Sequence, residues 1–89
     1  MRFAPGDRVR ARTLDPDHHI RLPRYVRGQV GEVVEAGGEW PLPDDRARGI
    51  EPPRVETVYA VRFPAARLWA EGAHTVTVDL WESYLEEAR

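Results

Sequence analysis

The chain has no lysine, no cysteine, a single serine and no long apolar run, and each absence removes a class of function. Without lysine there is no amine for Schiff-base chemistry and no acetylation site. All 13 basic residues are arginine, a bias that genome base composition explains as readily as function does. Without cysteine there is no disulfide, no thiolate nucleophile and no zinc ribbon, so soft-metal chemistry belongs on another chain. Ser83 sits in no strained elbow, which leaves a Ser-His-Asp triad with Asp79 unsupported. The N-terminus, Met1 to Asp7, lacks the apolar centre of a signal peptide, and no run approaches membrane-spanning length. A cytoplasmic location with no membrane partner is the default expectation.

What is there is one small domain. At 89 residues the chain lies near the lower limit for a core that is stable without disulfides or metal, so it is compact or leans on a partner. A net charge of −2 excludes a generally basic, nucleic-acid-coating surface, and no nucleic-acid partner is expected.

Alternation between Pro and Gly punctuation predicts four short strands at Asp7–Arg12, Gln29–Glu35, Glu56–Phe63 and His74–Leu80, with a fifth near Ser83–Glu86. In the first, Val9 and Ala11 point inward and Arg8, Arg10 and Arg12 outward. Tyr59, Val61 and Phe63 give the third an almost wholly apolar face. Pro64–Ala70 suits one or two turns of helix begun by a proline. The stretch 36–54, rich in Gly and Pro, reads as a long irregular excursion. Short strands, regular turns and almost no helix predict an all-β domain spanning 1–89, a partly open SH3-like barrel.

The most informative stretch is His18 to Gly31, which crowds Arg21, Arg24 and Arg27 with Tyr25, Pro23 and two Gly into a strand-to-strand connection. A guanidinium is a rigid fork of donors matching a planar or branched oxyanion. Spacing by three alternates faces on an extended chain and converges in a turn, so anion recognition and a solvated basic loop both remain open. His18-His19 beside Asp15 and Asp17 offers metal-ligand chemistry, but neighbouring side chains on an extended segment point apart. A loop hydrogen bond or an interface contact suits one of these histidines better, and no metal site is expected. His74 opens a strand with no carboxylate near it in sequence and reads as structural. The pairs Asp44-Asp45 and Glu86-Glu87 read as solvated. Trp81 and Tyr84, with Leu80 and Leu85, form an aromatic edge that packs on the barrel or on another subunit.

Five motifs in order, Phe3-Ala4-Pro5-Gly6-Asp7-Arg8-Val9-Arg10, His19-Ile20-Arg21-Leu22-Pro23-Arg24-Tyr25-Val26-Arg27-Gly28-Gln29-Val30-Gly31, Tyr59-Ala60-Val61-Arg62-Phe63, Leu68-Trp69 and Val78 to Glu86, resemble the C-terminal domain of the nitrile hydratase β subunit. Related thiocyanate hydrolase subunits share the domain. The resemblance implies an SH3-like barrel and a part in a metalloenzyme, a lyase that adds water to a nitrile to give an amide. It implies low-spin cobalt or iron in a partner α subunit, none being bound by this chain. The metal there is held by cysteines, two of them oxidised to sulfinate and sulfenate, whose oxygens accept hydrogen bonds from β-subunit arginines.

Carried over residue by residue, the resemblance assigns that role first to Arg27 and second to Arg21. Arg24 follows; Tyr25 shapes the cavity or interface, and His19, Trp81 and Tyr84 join the interface candidates. Ile20 stands where the family has Thr, so no hydroxyl contact carries over. The family's β subunit has a long N-terminal half supplying a second arginine, whereas this chain begins just ahead of the barrel. A split β subunit with a separate N-terminal β-like partner is expected, as in a hetero-oligomer of the nitrile hydratase or thiocyanate hydrolase type. An accessory protein that escorts the α subunit, or a trimmed piece, remains open. An SH3-like RNA- or protein-binding module is the more remote alternative, since Gly28 to Val34 also resembles the Gly-centred strand pair of such domains.

Overall fold

The structure, a computed structural model, describes residues 2–16, 18 and 20–88. Five strands form one antiparallel sheet: β1 (Arg8–Ala11), β2 (Val30–Pro41), β3 (Val55–Pro64), β4 (Thr75–Trp81) and β5 (Leu85–Glu87), in the order β4-β3-β2-β1-β5. Strands β2, β3 and β4 form a meander, while β1 pairs with both β2 and β5. A short 3-10 turn, Glu82–Tyr84, carries the chain from β4 at one edge to β5 at the other. The sheet therefore curls into the expected partly open barrel. No helix of the described residues is long and apolar enough to cross a membrane.

The core follows the alternation. Val9 and Ala11 are buried, as are Val33, Tyr59, Val61, Phe63, Leu80 and Leu85, all on strands, while Phe3, Leu42, Tyr84 and residues of the β1–β2 connection complete the core from outside them. Tyr59 also works at its polar end. Its hydroxyl accepts from the Arg2 and Phe3 amides at 2.9 and 3.2 Å and donates to Glu82 at 3.0 Å, tying the N-terminus to the β4–β5 turn.

Gly31 shows why a side chain is missing where β2 crosses β3. A Cβ there would lie 2.8 Å from the Arg62 carbonyl oxygen and from Val61, and 2.9 Å from Phe63. The backbone is ordinary, so close approach alone demands the glycine.

The stretch 36–54 departs from the expected irregular excursion. Strand β2 continues through Gly37 and Gly38 to Pro41, and α1 (Pro43–Ala47) follows. Register shifts between Val33 and Glu35 and between Ala36 and Glu39 explain the miss, because each breaks the period of two that marks a strand. The β5 segment likewise begins at Leu85, with Ser83 in the 3-10 turn. Helix α2 (Ala65–Trp69) matches the expected short helix, with Pro64 as its cap residue.

Candidate functional site

The β1–β2 connection is a closed loop. The Gly28 amide donates to the Ala11 carbonyl at 2.6 Å and the Ala11 amide to the Gln29 carbonyl at 3.0 Å, joining its two ends. Gly28 holds a φ of +80°, which favours glycine at the point where the chain must turn back into β2. Between these ends Ile20, Leu22 and Val26 are buried, so apolar anchors fix the loop from within. Arg24–Val26 forms one 3-10 turn closed by the Val26 amide on the Pro23 carbonyl.

These anchors sort the arginines. Arg27 is largely buried, and its Nε and Nη2 donate to the Leu22 carbonyl oxygen at 3.0 and 2.8 Å, with Nη1 3.4 Å from Asp15. Arg24 is exposed and meets the same exposed Asp15 carboxylate at 3.4 Å, a geometry that contributes little in water. Among the described residues Arg21 is held through its backbone, whose amide donates to the Tyr84 hydroxyl at 3.2 Å, and the residue is otherwise exposed. The three cations thus share one loop but not one direction of use.

Tyr25, exposed on the same turn, stacks on Trp69 of α2 at 5.7 Å, and Trp69 stacks on His74 at 6.4 Å. This row of rings braces the arginine loop against the α2–β4 connection and gives His74 a structural role. His19 lies outside the described residues. His18 is described, and its Nε2 is 3.4 Å from Asp44.

Asp44 and Asp45, expected to be solvated, are half-buried and buried, because each meets partners from elsewhere in the fold, and Asp44 is a junction. One of its oxygens faces His18 and the other accepts from the Tyr84 hydroxyl at 2.5 Å. Burial and the adjacent Asp44 carboxylate push the Tyr84 phenol well above its ordinary value. Tyr84 therefore acts inside the barrel, linking α1 to the Arg21 backbone.

Asp45 is buried and accepts from the Arg54 amide, Nε and Nη2 at 2.8, 2.9 and 3.0 Å. Hydrogen bonds from Arg54 hold its carboxyl down at about 2. The sequence did contain a signal: proline at the first helical position followed by two acids is a helix-start pattern.

A groove of about 660 Å³ opens between α1, β3 and β4, with Trp40, Trp81 and Val58 among its walls and Arg21 and Arg46 in its lining. Trp81 is half-buried, and its indole donates to the Pro41 carbonyl at 3.1 Å. Among the described residues no group of three or more His, Asp or Glu is arranged to hold a metal ion. With no cysteine in the chain, the residues present do not fit a thiolate-bound metal. The arrangement suits anion recognition and docking.

Against known families, the model described as "Nitrile hydratase beta subunit, C-terminal" matches residues 1–87. The chain belongs to this family. It is 44% identical over 89 residues to the cobalt-containing nitrile hydratase subunit β of Pseudonocardia thermophila, a match covering 96% of this chain and 37% of that one. The chain spans 37–42% of the length of the nitrile hydratase β subunits it matches. It is also 36% identical over 92 residues to thiocyanate hydrolase subunit α of Thiobacillus thioparus, covering 98% of this chain and 72% of that subunit. The solved recombinant apo-enzyme of that thiocyanate hydrolase superposes with a TM-score of 0.88 at 35% identity, over 98% of this chain and 76% of that chain.

Proposed function

We propose that this chain is the C-terminal part of a nitrile hydratase-type β subunit, inactive alone, which completes the site of a metal-bearing α-type partner in an enzyme converting nitrile and water to amide. The observation that carries the reading is family membership over residues 1–87. The pinned arginine loop supplies its chemistry. In the partner, cobalt or iron would polarise the nitrile or a water molecule.

This chain's contribution is orientation. A guanidinium has five N–H donors; in Arg27 two point at the Leu22 carbonyl and one at Asp15. The remaining two are held in the same rigid plane, ready for an oxyanion on a docked surface such as an oxidised cysteine ligand. Burial of that contact strengthens it, because a charge-assisted bond gains when water leaves. Arg21, anchored through its backbone and exposed, is the second donor.

The test is turnover of the assembled complex carrying Arg27→Lys or Arg21→Lys. An ammonium lacks the fork, so Arg27→Lys lowers turnover by about 10²-fold, the scale of losing an oriented donor to a developing charge. Turnover equal to that of the unaltered complex removes Arg27 from the site.

A second reading is favoured by one observation. The chain superposes on the solved thiocyanate hydrolase apo-enzyme with a TM-score of 0.88 at 35% identity. A complex that hydrolyses thiocyanate and leaves nitriles untouched would select it.

A further inference from the structure

We propose that the groove beside α1 docks an extended segment of a partner polypeptide in which an acidic residue is flanked by apolar ones. The groove shares Arg21 with the proposed site, and its own test turns on Arg46.

The volume, about 660 Å³, falls within the range of clefts that bind ligands, roughly 300–1,000 Å³. Trp40 is 56% exposed and stands with the half-buried Trp81 on the groove wall, which gives the groove an accessible aromatic surface. Both groove indoles already have acceptors within the chain: Trp40 donates to the Gly37 carbonyl at 3.2 Å, and Trp81 to that of Pro41. The groove therefore offers aromatic and prolyl faces without a free indole donor, which suits apolar side chains rather than peptide carbonyls.

Its charge sets the occupant's sign. Arg21 and Arg46 line it from different elements, and neither has an ion-pair partner among the described residues. Asp79 is the single acid of the lining, so two arginines less one aspartate leave a net charge of +1 on a chain that carries −2 overall. Trp and Arg together are the residue types enriched where proteins meet. The walls are also preformed. Asp45 is locked to Arg54, and Asp44 to Tyr84, so α1 is held before anything binds and less ordering is needed on docking.

The experiment selects a displayed library of random peptides, about twelve residues long, on the full chain, with Arg46→Glu and Trp40→Phe as comparison targets. Arg46 is exposed at the last turn of α1, so its replacement spares the core. The expected result is enrichment of peptides with Asp or Glu beside apolar residues. Synthetic copies should shift the Trp40 and Trp81 indole resonances and lose at least about tenfold in affinity on Arg46→Glu. No enrichment, enrichment of peptides without an acid, or equal affinity for the Arg46→Glu chain would each overturn the proposal.

Discussion

The guanidinium of Arg27 folds back onto the carbonyl oxygen of Leu22 five residues earlier, with Nε at 3.0 Å and Nη2 at 2.8 Å. Leu22 is itself buried, so the acceptor is fixed by the core and the guanidinium by the acceptor. Among the described residues Arg21 and Arg24, on the same loop, show no such clamp. Preorganisation therefore distinguishes Arg27 from Arg21 and Arg24 before any partner is present.

Arg27→Lys should loosen this loop without unfolding the barrel. Losing one arm of a charge-assisted pair costs about 1–2 kcal/mol, and hydrogen exchange should quicken at the amides of Val26 and Gln29 while those of β3 keep their protection. Equal protection throughout the loop in both proteins would mean that the Leu22 contact contributes nothing.

Tyr84→Phe should act on the same loop from beneath. The phenol donates to Asp44 and accepts from the Arg21 amide, so its removal leaves two groups without partners and costs about 1–3 kcal/mol in urea unfolding. Its pH signature is separate. The folded phenol titrates above its ordinary value, so its contribution is complete below the unfolded value near pH 10 and declines as the pH rises beyond it. The unaltered chain should lose stability above about pH 10 more steeply than Tyr84→Phe.

Asp45 sets the acid limb. Its carboxyl is held down at about 2 by Arg54, so the pair's contribution is complete above the unfolded carboxyl value and is lost as the pH falls toward 2. Thermal unfolding measured between about pH 5 and pH 2 should show a falling Tm that flattens in Asp45→Asn. Parallel curves for the two proteins would remove Asp45 from the acid response.

Gly31→Ala should be among the most damaging small substitutions. The added methyl meets the Arg62 carbonyl at 2.8 Å, and backbone yields less readily than a side chain. The expected loss is about 1–3 kcal/mol, read from the urea midpoint. Stability within a few tenths of the unaltered chain would mean that β2 and β3 separate freely there.

The strands were legible where alternation was unbroken. Tyr59, Val61 and Phe63 announce β3, and β3 keeps continuous register with β4 from Val58 opposite Trp81 to Pro64 opposite Thr75. The far half of β2 was hidden by two register irregularities and by Gly37 and Gly38, which carry no apolar signal. In the site, Arg21, Arg24, Arg27 and Tyr25 stood out because they are adjacent in sequence. Asp44 did not, since its contact with Tyr84 spans 40 residues and no local pattern encodes it, and for Asp45 and Arg54, nine residues apart, the helix-start pattern marks the element but not the pairing. Loop residues announce chemistry by density, whereas those that hold a loop from a distance are visible only once the chain is folded.

The role proposed for Arg27 depends on the chain's place in an assembled enzyme. The most direct measurement is co-expression with the proteins encoded beside it, followed by assay of the purified complex for metal content and for amide formed from a nitrile, with and without this chain. The expected result is a stable, metal-bearing complex that contains this chain and makes amide only when it is present. A complex that holds its metal and hydrates nitriles equally well in the absence of this chain would contradict it.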